Sequence, residues 1–186
     1  MSEEQRLIMQ ARKGDEAAME ALFHLHVTRS VRLAYLICGD WALAEDAVQD
    51  AFLSAFRALK SFRDGASFSP WFTRIVVNQA KNKKSRTRQF LPLSDVVLKE
   101  SGLSTEEEVL VRERERQLLL AVNKLDEKHR LPVLLKYFGC YTESHVAQVL
   151  NLPISTVKSR LHTARGRLKT ALADLEGGNF SEFAKR

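Results

Sequence analysis

Residues 153–169, PISTVKSRLHTARGRLK, read as one helix with two chemically opposed sides. Ile154, Val157, Leu161, Ala164 and Leu168 recur at the three- and four-residue spacing of a helix face that packs on a core. At about 100° per residue, Ser155, Ser159, His162, Thr163 and Gly166 project the other way. Lys158 and Arg165 flank that crest on one side, Arg160 and Arg167 on the other, and no acid lies between Pro153 and Lys169. A narrow polar crest with cationic shoulders suits the major groove, because small polar groups reach base edges while Lys and Arg hold phosphate. Just upstream, Thr142 to Leu150 (TESHVAQVL) reads as a shorter helix, with Asn151-Leu152-Pro153 as a tight break. Helix, short turn and basic second helix make a helix-turn-helix. The competing reading is a solvated amphipathic helix, since charge runs often mark a wet surface. Cations without an acid, directly after such a turn, favour the groove-binding reading.

Working outward, 186 residues suffice for one medium domain or two small ones, and 45% hydrophobic residues are ordinary for a folded chain. The net charge of +6 favours an anionic partner. It is unevenly spread: +4 over residues 1–90, −3 over 91–116 and +5 over 117–186. Two basic blocks thus flank an acidic connector. Cys38 and Cys140 are far apart with no metal-like spacing, so reduced thiols are expected, and neither a disulfide framework, a metal nor a cofactor. The first residues, MSEEQRLIMQARKGDE, lack a signal-peptide apolar core, and no apolar run approaches membrane-spanning length. A soluble cytoplasmic protein, not inserted in a membrane, is expected.

Helical periodicity runs nearly throughout, without a convincing alternating strand. Leu7, Ile8 and Ala11, then Ala18, Leu22 and Leu25, outline two first helices separated at Lys13-Gly14-Asp15, the second pattern continuing to Gly39-Asp40. A third helix is expected from about Ala42 to Ser61, with Ala47, Val48, Ala51, Phe52, Ala55, Phe56 and Leu59 inward. A breaker-rich loop follows at Arg63 to Ser67, then a fourth helix from near Ser69 to about Arg88, with Pro70 in its first turn. Periodicity fades from Phe90 to Thr105. A further helix runs to about Leu125, and Asp126 caps the next, in which Pro132 falls late enough to predict a kink unless the helix starts later. The architecture expected is all-α: two small helical domains, 1–90 and 112–175, a flexible linker over 91–111, and a short tail over 176–186.

The fourth helix ends in a second cationic surface. Arg74, Lys81, Lys83, Lys84, Arg86 and Arg88 lie in a stretch without acids, interleaved with Asn78, Gln79, Asn82 and Ser85. The preceding Phe62–Ser69 loop could receive an unstacked base, which needs a shaped polar pocket. Phe68 reads equally as core, and Trp71 reads as core. On the third helix, Glu45, Asp46, Gln49 and Asp50 cluster away from the apolar stripe. They read either as complements of the helix dipole or as a docking face for a basic protein.

Three segments in this order and spacing, AEDAVQDAFLSAFRALKSF, FSPWFTRIVVNQAKN and LPISTVKSRLHTARGRL, resemble bacterial sigma factors of the extracytoplasmic-function class. The resemblance covers roughly residues 5–90 and 112–172. It implies a transcription initiation factor that binds core RNA polymerase and directs it to promoters, region 2 taking the −10 element and region 4 the −35 element. On that resemblance Glu45, Asp46, Gln49 and Asp50 face the clamp helices of the polymerase β′ subunit. The Phe62–Ser69 loop, with Arg63 and Phe68, captures a flipped −10 base, while Asn78, Lys81, Asn82, Lys84 and Arg86 hold the strand. Lys158, Ser159, His162 and Thr163 face −35 bases, with Ser155 beside them, and Thr156, Arg160, Arg165 and Arg167 contact mainly phosphate. The segment from Glu127 to Phe138 helps dock region 4 on the β flap. Family habit also implies an anti-sigma factor that masks both domains and could tether the chain indirectly to a membrane. Two departures stand out. His162-Thr163 occupies positions where relatives often carry a second basic or bulky residue. Ser144-His145-Val146 replaces the usual acidic-acidic-Ile lead-in.

A dimeric helix-turn-helix repressor is the first rival, but it leaves the cationic fourth helix and the acidic cluster unused. An enzyme is the second. His24 and His26 project to different helix faces, and the sequence contains no Gly-rich phosphate loop. No catalytic residue is assigned.

Overall fold

Residues 2–63, 65–86 and 106–173 are described by a computed structural model, side chains included except at Arg86, residues 106–112, Arg114, Glu115 and Ala173. Every regular element among the described residues is helical. Residues 87–105 and 174–186, with most of the expected linker and the tail, lie outside them. The chain divides into two compact units, the first built on residues 1–90 and the second on most of 91–186.

The first unit contains α1 (Glu3–Arg12), α2 (Glu16–Cys38), α3 (Trp41–Ala58), a 3₁₀ turn (Leu59–Ser61) and α4 (Phe68–Arg86). Short-range polar groups set its breaks. Ser2 and Gln5 form a capping box at the start of α1. Asp15 Oδ1 accepts from Ala18 N at 3.1 Å to start α2, and Asp40 Oδ1 accepts from Leu43 N at 2.8 Å to start α3. Between them Gly39, at φ +83°, closes α2 in the left-handed conformation and donates to the Tyr35 carbonyl at 2.7 Å. Phe68 opens α4, so Pro70 falls in the first turn, where its missing N–H costs no helical bond.

Burial then joins the helices. Ala44, Ala47, Ala51 and Ala55 present a fully buried small-residue stripe on α3. Leu22, Leu33 and Ile37 of α2 are buried with it, as are Phe72, Val76 and Ala80 of α4. Phe52 and Phe72 meet at 4.4 Å between centroids. One expected core residue is misplaced: Leu25 is 58% exposed. It shares the spacing of Leu22 but lies around the edge of a stripe that α3 and α4 already fill.

The second unit comprises α5 (Glu106–Asn123), α6 (Glu127–Val133), a π-helical turn (Leu134–Phe138), α7 (Glu143–Leu150) and α8 (Ile154–Ala173). Because α5 starts at Glu106, the last residues assigned to the linker are helical. The helix carries on through Pro132, with Leu134 N donating to the Arg130 and Leu131 carbonyls, and widens only afterwards. Gly139 N closes the wide turn on the Leu134 carbonyl at 2.8 Å, and Tyr141 N follows on Leu135 at 3.1 Å. The interruption thus sits downstream of the proline, where the first of these bonds spans five residues rather than four and the second six.

Gly139 has no room to grow. An added Cβ would sit 2.7 Å from the Leu135 carbonyl oxygen and 2.8 Å from the Tyr141 ring. Because the oxygen belongs to the main chain, Gly139→Ala should destabilise the second unit by about 1–3 kcal/mol. Thermal unfolding of the full chain should show a lowered midpoint; an unchanged one would mean the π turn relaxes freely.

Candidate nucleic-acid interface

The helix-turn-helix forms as its residues dictate. Thr142 Oγ1 accepts from His145 N at 3.2 Å and caps α7. Asn151 takes φ +53°, a left-handed conformation that Asn tolerates. Leu152 N then donates to Ala147 at 3.0 Å, and the Pro153 carbonyl accepts from Val157 N at 3.1 Å to begin α8.

Val157, Leu161, Ala164, Leu168 and Leu172 of α8 are buried, and the helix packs on α5 and α6. Ser155, Ser159, His162, Thr163 and Gly166 are exposed on the far side, as are Lys158 and Arg165, while Thr156 and Arg160 are half-buried on the flanks. Two residues depart from expectation. Ile154 is 46% exposed, because the first turn of α8 extends beyond the core that holds Val157. Arg167 is engaged inside the unit: its Nη1 lies 3.6 Å from Asp126 Oδ2 and 3.3 Å from His129 Nδ1. Its charge reaches the start of α6, while the side chain stays 51% exposed. Asp126 also accepts a hydrogen bond from buried His129, so it caps α6 by position but without a side-chain bond to the helix backbone. Desolvation pushes the Asp126 carboxyl up, and the His129 hydrogen bond with the nearby His129, Lys128 and Arg167 charges outweighs it, leaving the carboxyl below its ordinary range.

In the first unit, α4 carries exposed Arg74, Asn78 and Asn82, with Lys81, Lys83 and Lys84 half-buried. Arg86 lies in α4, its side chain outside the description. The α3 acids are not a separate patch. Lys83 Nζ lies 2.9 Å from Asp50 and 3.7 Å from Asp46, so α3 and α4 share one mixed edge. Glu45 and Gln49 remain exposed, as does Asp46, while Asp50 is half-buried. Gln79 Nε2 adds a bond to Ser54 Oγ at 3.4 Å.

The Phe62–Ser69 loop gives a correction. Phe68 is 1% exposed and packs against Phe72, Trp71 and Phe62, so it lies beneath the loop and cannot itself touch a base. Among the described loop residues Arg63, Gly65, Ala66 and Ser67 are exposed, turned by an Ala66 N to Arg63 O bond at 3.2 Å. Two residues to which the sequence reading gave no part here also hold this region, Arg12 on α1 and His26 on α2. No linear pattern announces either one, because their partners are tens of residues away. Burial lowers the His26 pKa, against the raising effect of Glu4 and with a smaller lowering from Arg29.

Cys38 is buried, donates to the Ala80 carbonyl at 3.4 Å, and has its thiol pKa pushed by desolvation to about 11, which makes it a poor nucleophile. Among the described residues no His, Cys, Asp and Glu group could hold a metal ion, and no helix is long and apolar enough to cross a membrane.

Comparison with known proteins gives this geometry its context. The family model described as Sigma-70 region 2 matches residues 22–90, and that described as Sigma-70, region 4 matches residues 115–168. A helical chain carrying both regions is a transcription initiation factor, one that directs RNA polymerase to promoters. The ECF RNA polymerase sigma-E factor of Escherichia coli is 33% identical over 177 residues, covering 87% of this chain and 90% of that protein. The ECF RNA polymerase sigma factor SigW of Bacillus subtilis is 29% identical over 181 residues, covering 90% and 96%. The chain belongs to the ECF RNA polymerase sigma factors. Two solved structures share the fold: CnrH in complex with the cytosolic domain of CnrY (TM-score 0.72, 24% identity, 94% of this chain and 99% of that one), and the sigma factor RpoE in complex with the anti-sigma factor NepR from Bartonella quintana (TM-score 0.63, 22%, 84% and 97%).

Gly166 sits mid-helix on the exposed crest, and an added Cβ would meet nothing within 4 Å. Gly166→Ala should therefore stabilise the chain by about 0.5–1 kcal/mol through helix propensity. A raised thermal midpoint checks this, and a lowered one would show a conformational need for glycine there.

Proposed function

We propose that this sigma factor reads −35 DNA with the crest of α8 and unpaired −10 DNA with α4 and the loop before it. The observation that carries the reading is the division of α8: its apolar stripe is buried, and Ser155, Lys158, Ser159, His162, Thr163 and Arg165 are left outward together. Lys158, Ser159, His162 and Thr163 take the base edges. Thr156, Arg160 and Arg165 take phosphate, and Arg167 acts through the orientation of α8.

In the first unit, Arg63 with the exposed loop residues receives a −10 base. Asn78, Lys81, Asn82, Lys84 and Arg86 hold the strand, and Phe68 supports the loop from below. Glu45, Asp46, Gln49 and Asp50 meet the β′ clamp helices of core RNA polymerase, with Lys83 moderating their charge, and the α6 region meets the β flap. Residues 1–90 and 112–175 serve as the two recognition domains, joined by 91–111 and followed by a tail over 176–186. The chain acts by binding and positioning rather than by catalysis of its own, and it works in the cytoplasm.

An anti-sigma factor holds it inactive until a stress or envelope signal arrives. Support comes from the shared fold with RpoE, whose solved structure contains the anti-sigma factor NepR. A membrane-bound anti-sigma factor would tether the chain indirectly.

Transcription reconstituted with sigma-free core polymerase on a promoter library tests the reading. Start sites should depend on the chain and share two promoter elements. Ser159→Ala should change discrimination at particular −35 positions by about tenfold, within the range for one base contact. Arg165→Ala should weaken binding evenly across sequences and reduce the salt slope by about one. Equal loss on every −35 variant after Ser159→Ala would remove that residue from base readout.

A further inference from the structure

The match to Sigma-70 region 2 begins at residue 22, so α1, Glu3–Arg12, lies outside it. One α1 side chain nevertheless acts directly on the entry of the Phe62–Ser69 loop, and a second acts on its exit through His26 of α2. At the entry, Arg12 Nε donates to the Leu59 carbonyl at 3.2 Å and Nη2 donates to the Phe62 carbonyl, partners 47 and 50 residues away. The Leu59 carbonyl also accepts from Phe62 N at 3.1 Å across the 3₁₀ turn, so Arg12 is its second donor, while Phe62 is the capping residue just past the turn. The same guanidinium stands 5.8 Å from the Phe62 ring centroid. At the exit, Glu4 Oε1 lies 2.9 Å from His26 Nε2, and the His26 ring packs 5.2 Å from the Phe68 ring. Phe62 and Phe68 themselves meet edge to face at 5.9 Å. The entry of the loop is therefore fastened to α1 directly and its exit through His26 of α2, which Glu4 of α1 holds, while Arg63 and residues 65–67 between them are exposed.

We propose that Arg12 is a positioning residue for −10 recognition, and that α1, through Arg12 and the Glu4–His26 pair, is the bracket that holds the loop ready for an unstacked base. The proposal rests on the reading of that loop as the −10 base receptor. Its physics is preorganisation: a base pocket discriminates only if its walls stay within tenths of an ångström of the working geometry. A planar guanidinium fixes two carbonyls at once, whereas a lysine ammonium is a point charge on a flexible stem.

The test uses holoenzyme reconstituted from the full chain and sigma-free core. Fork-junction promoter probes carry each of the four bases at the captured −10 position, and three variants are compared with wild type: Arg12→Lys, Arg12→Met, and replacement of residues 63–67 by a Gly/Ser segment. Both Arg12 variants should lower the preference for the correct base by about tenfold, the scale of one base-pair mismatch. Affinity for core and preference at −35 positions should stay within about twofold, since additivity holds for distant sites. Hydrogen exchange over residues 61–67 of the full chain should quicken in both variants, reporting local opening. A preference ratio is the deciding readout because a smaller folded fraction would leave it unchanged. If Arg12→Met fails to fold, Arg12→Lys decides alone. Wild-type preference in the Arg12 variants, with loss in the loop replacement, overturns the bracket and leaves the loop reading standing. Indifference of all three overturns the loop reading and the bracket together. Equal loss at −10 and −35 would reduce Arg12 to a general structural role and equally overturn the proposal.

Discussion

Burial of a single stripe on α8 governs what the second unit can present to DNA. A helix turned by one residue moves its outward crest by about 100°, so base readout depends on an unambiguous rotation. Leu161 and Leu168 are both essentially buried, as are Val157 and Ala164. Each buried leucine contributes about 1.5–3 kcal/mol relative to exposure. The Arg167–Asp126 pair, half-exposed on both sides, belongs to a class worth about 0–1 kcal/mol. Hydrophobic burial therefore sets the rotation of α8, and the ion pair refines it. The crest needs no interaction of its own to be held outward, which leaves its polar groups available to DNA.

The first unit solves a different problem, because acidic and basic groups meet along one edge of α3 and α4. Lys83 bridges Asp50 and Asp46 across that edge. The net +4 of residues 1–90 thus overstates the cationic character of this edge. The acids are the more open side of this pair: the Lys83 side chain is 23% exposed, those of Asp50 and Asp46 45% and 63%.

How much of this was legible in the sequence follows from the range of each interaction. The breaks at Gly14-Asp15 and Gly39-Asp40 were readable because capping acts within three or four residues. The α8 stripe was readable because it repeats. Periodicity does not reveal how wide a neighbouring helix is, so Leu25 and Ile154 were placed inside when their neighbours leave them outside. Nor does it separate a base-stacking aromatic from a core one, and Phe68 proved to be core because Phe62, Trp71 and Phe72 surround it. Lys83 and Arg167 were counted correctly as cations, yet their partners come from other helices. The resemblance to sigma factors supplied the two recognition regions, but the internal ties of these two side chains emerged only with the fold.

The long-range ties share a physical cause. A helix interior satisfies its own backbone, so a distant side chain finds unmet acceptors chiefly at helix ends and interruptions. Arg12 meets the carbonyls of Leu59, which opens the 3₁₀ turn, and of Phe62, just past its end. Arg130 Nη1 reaches the Asn123 carbonyl at the end of α5, at 3.5 Å. Arg167 meets the carboxylate at the capping position of α6. Arginine suits all three places, since its long stem packs on apolar surface while its planar head carries several donors. In an all-helical chain the joints between helices are also where binding loops lie. The side chains that tie the joints thereby tie the binding surfaces, and a residue far from any DNA contact acquires a part in recognition.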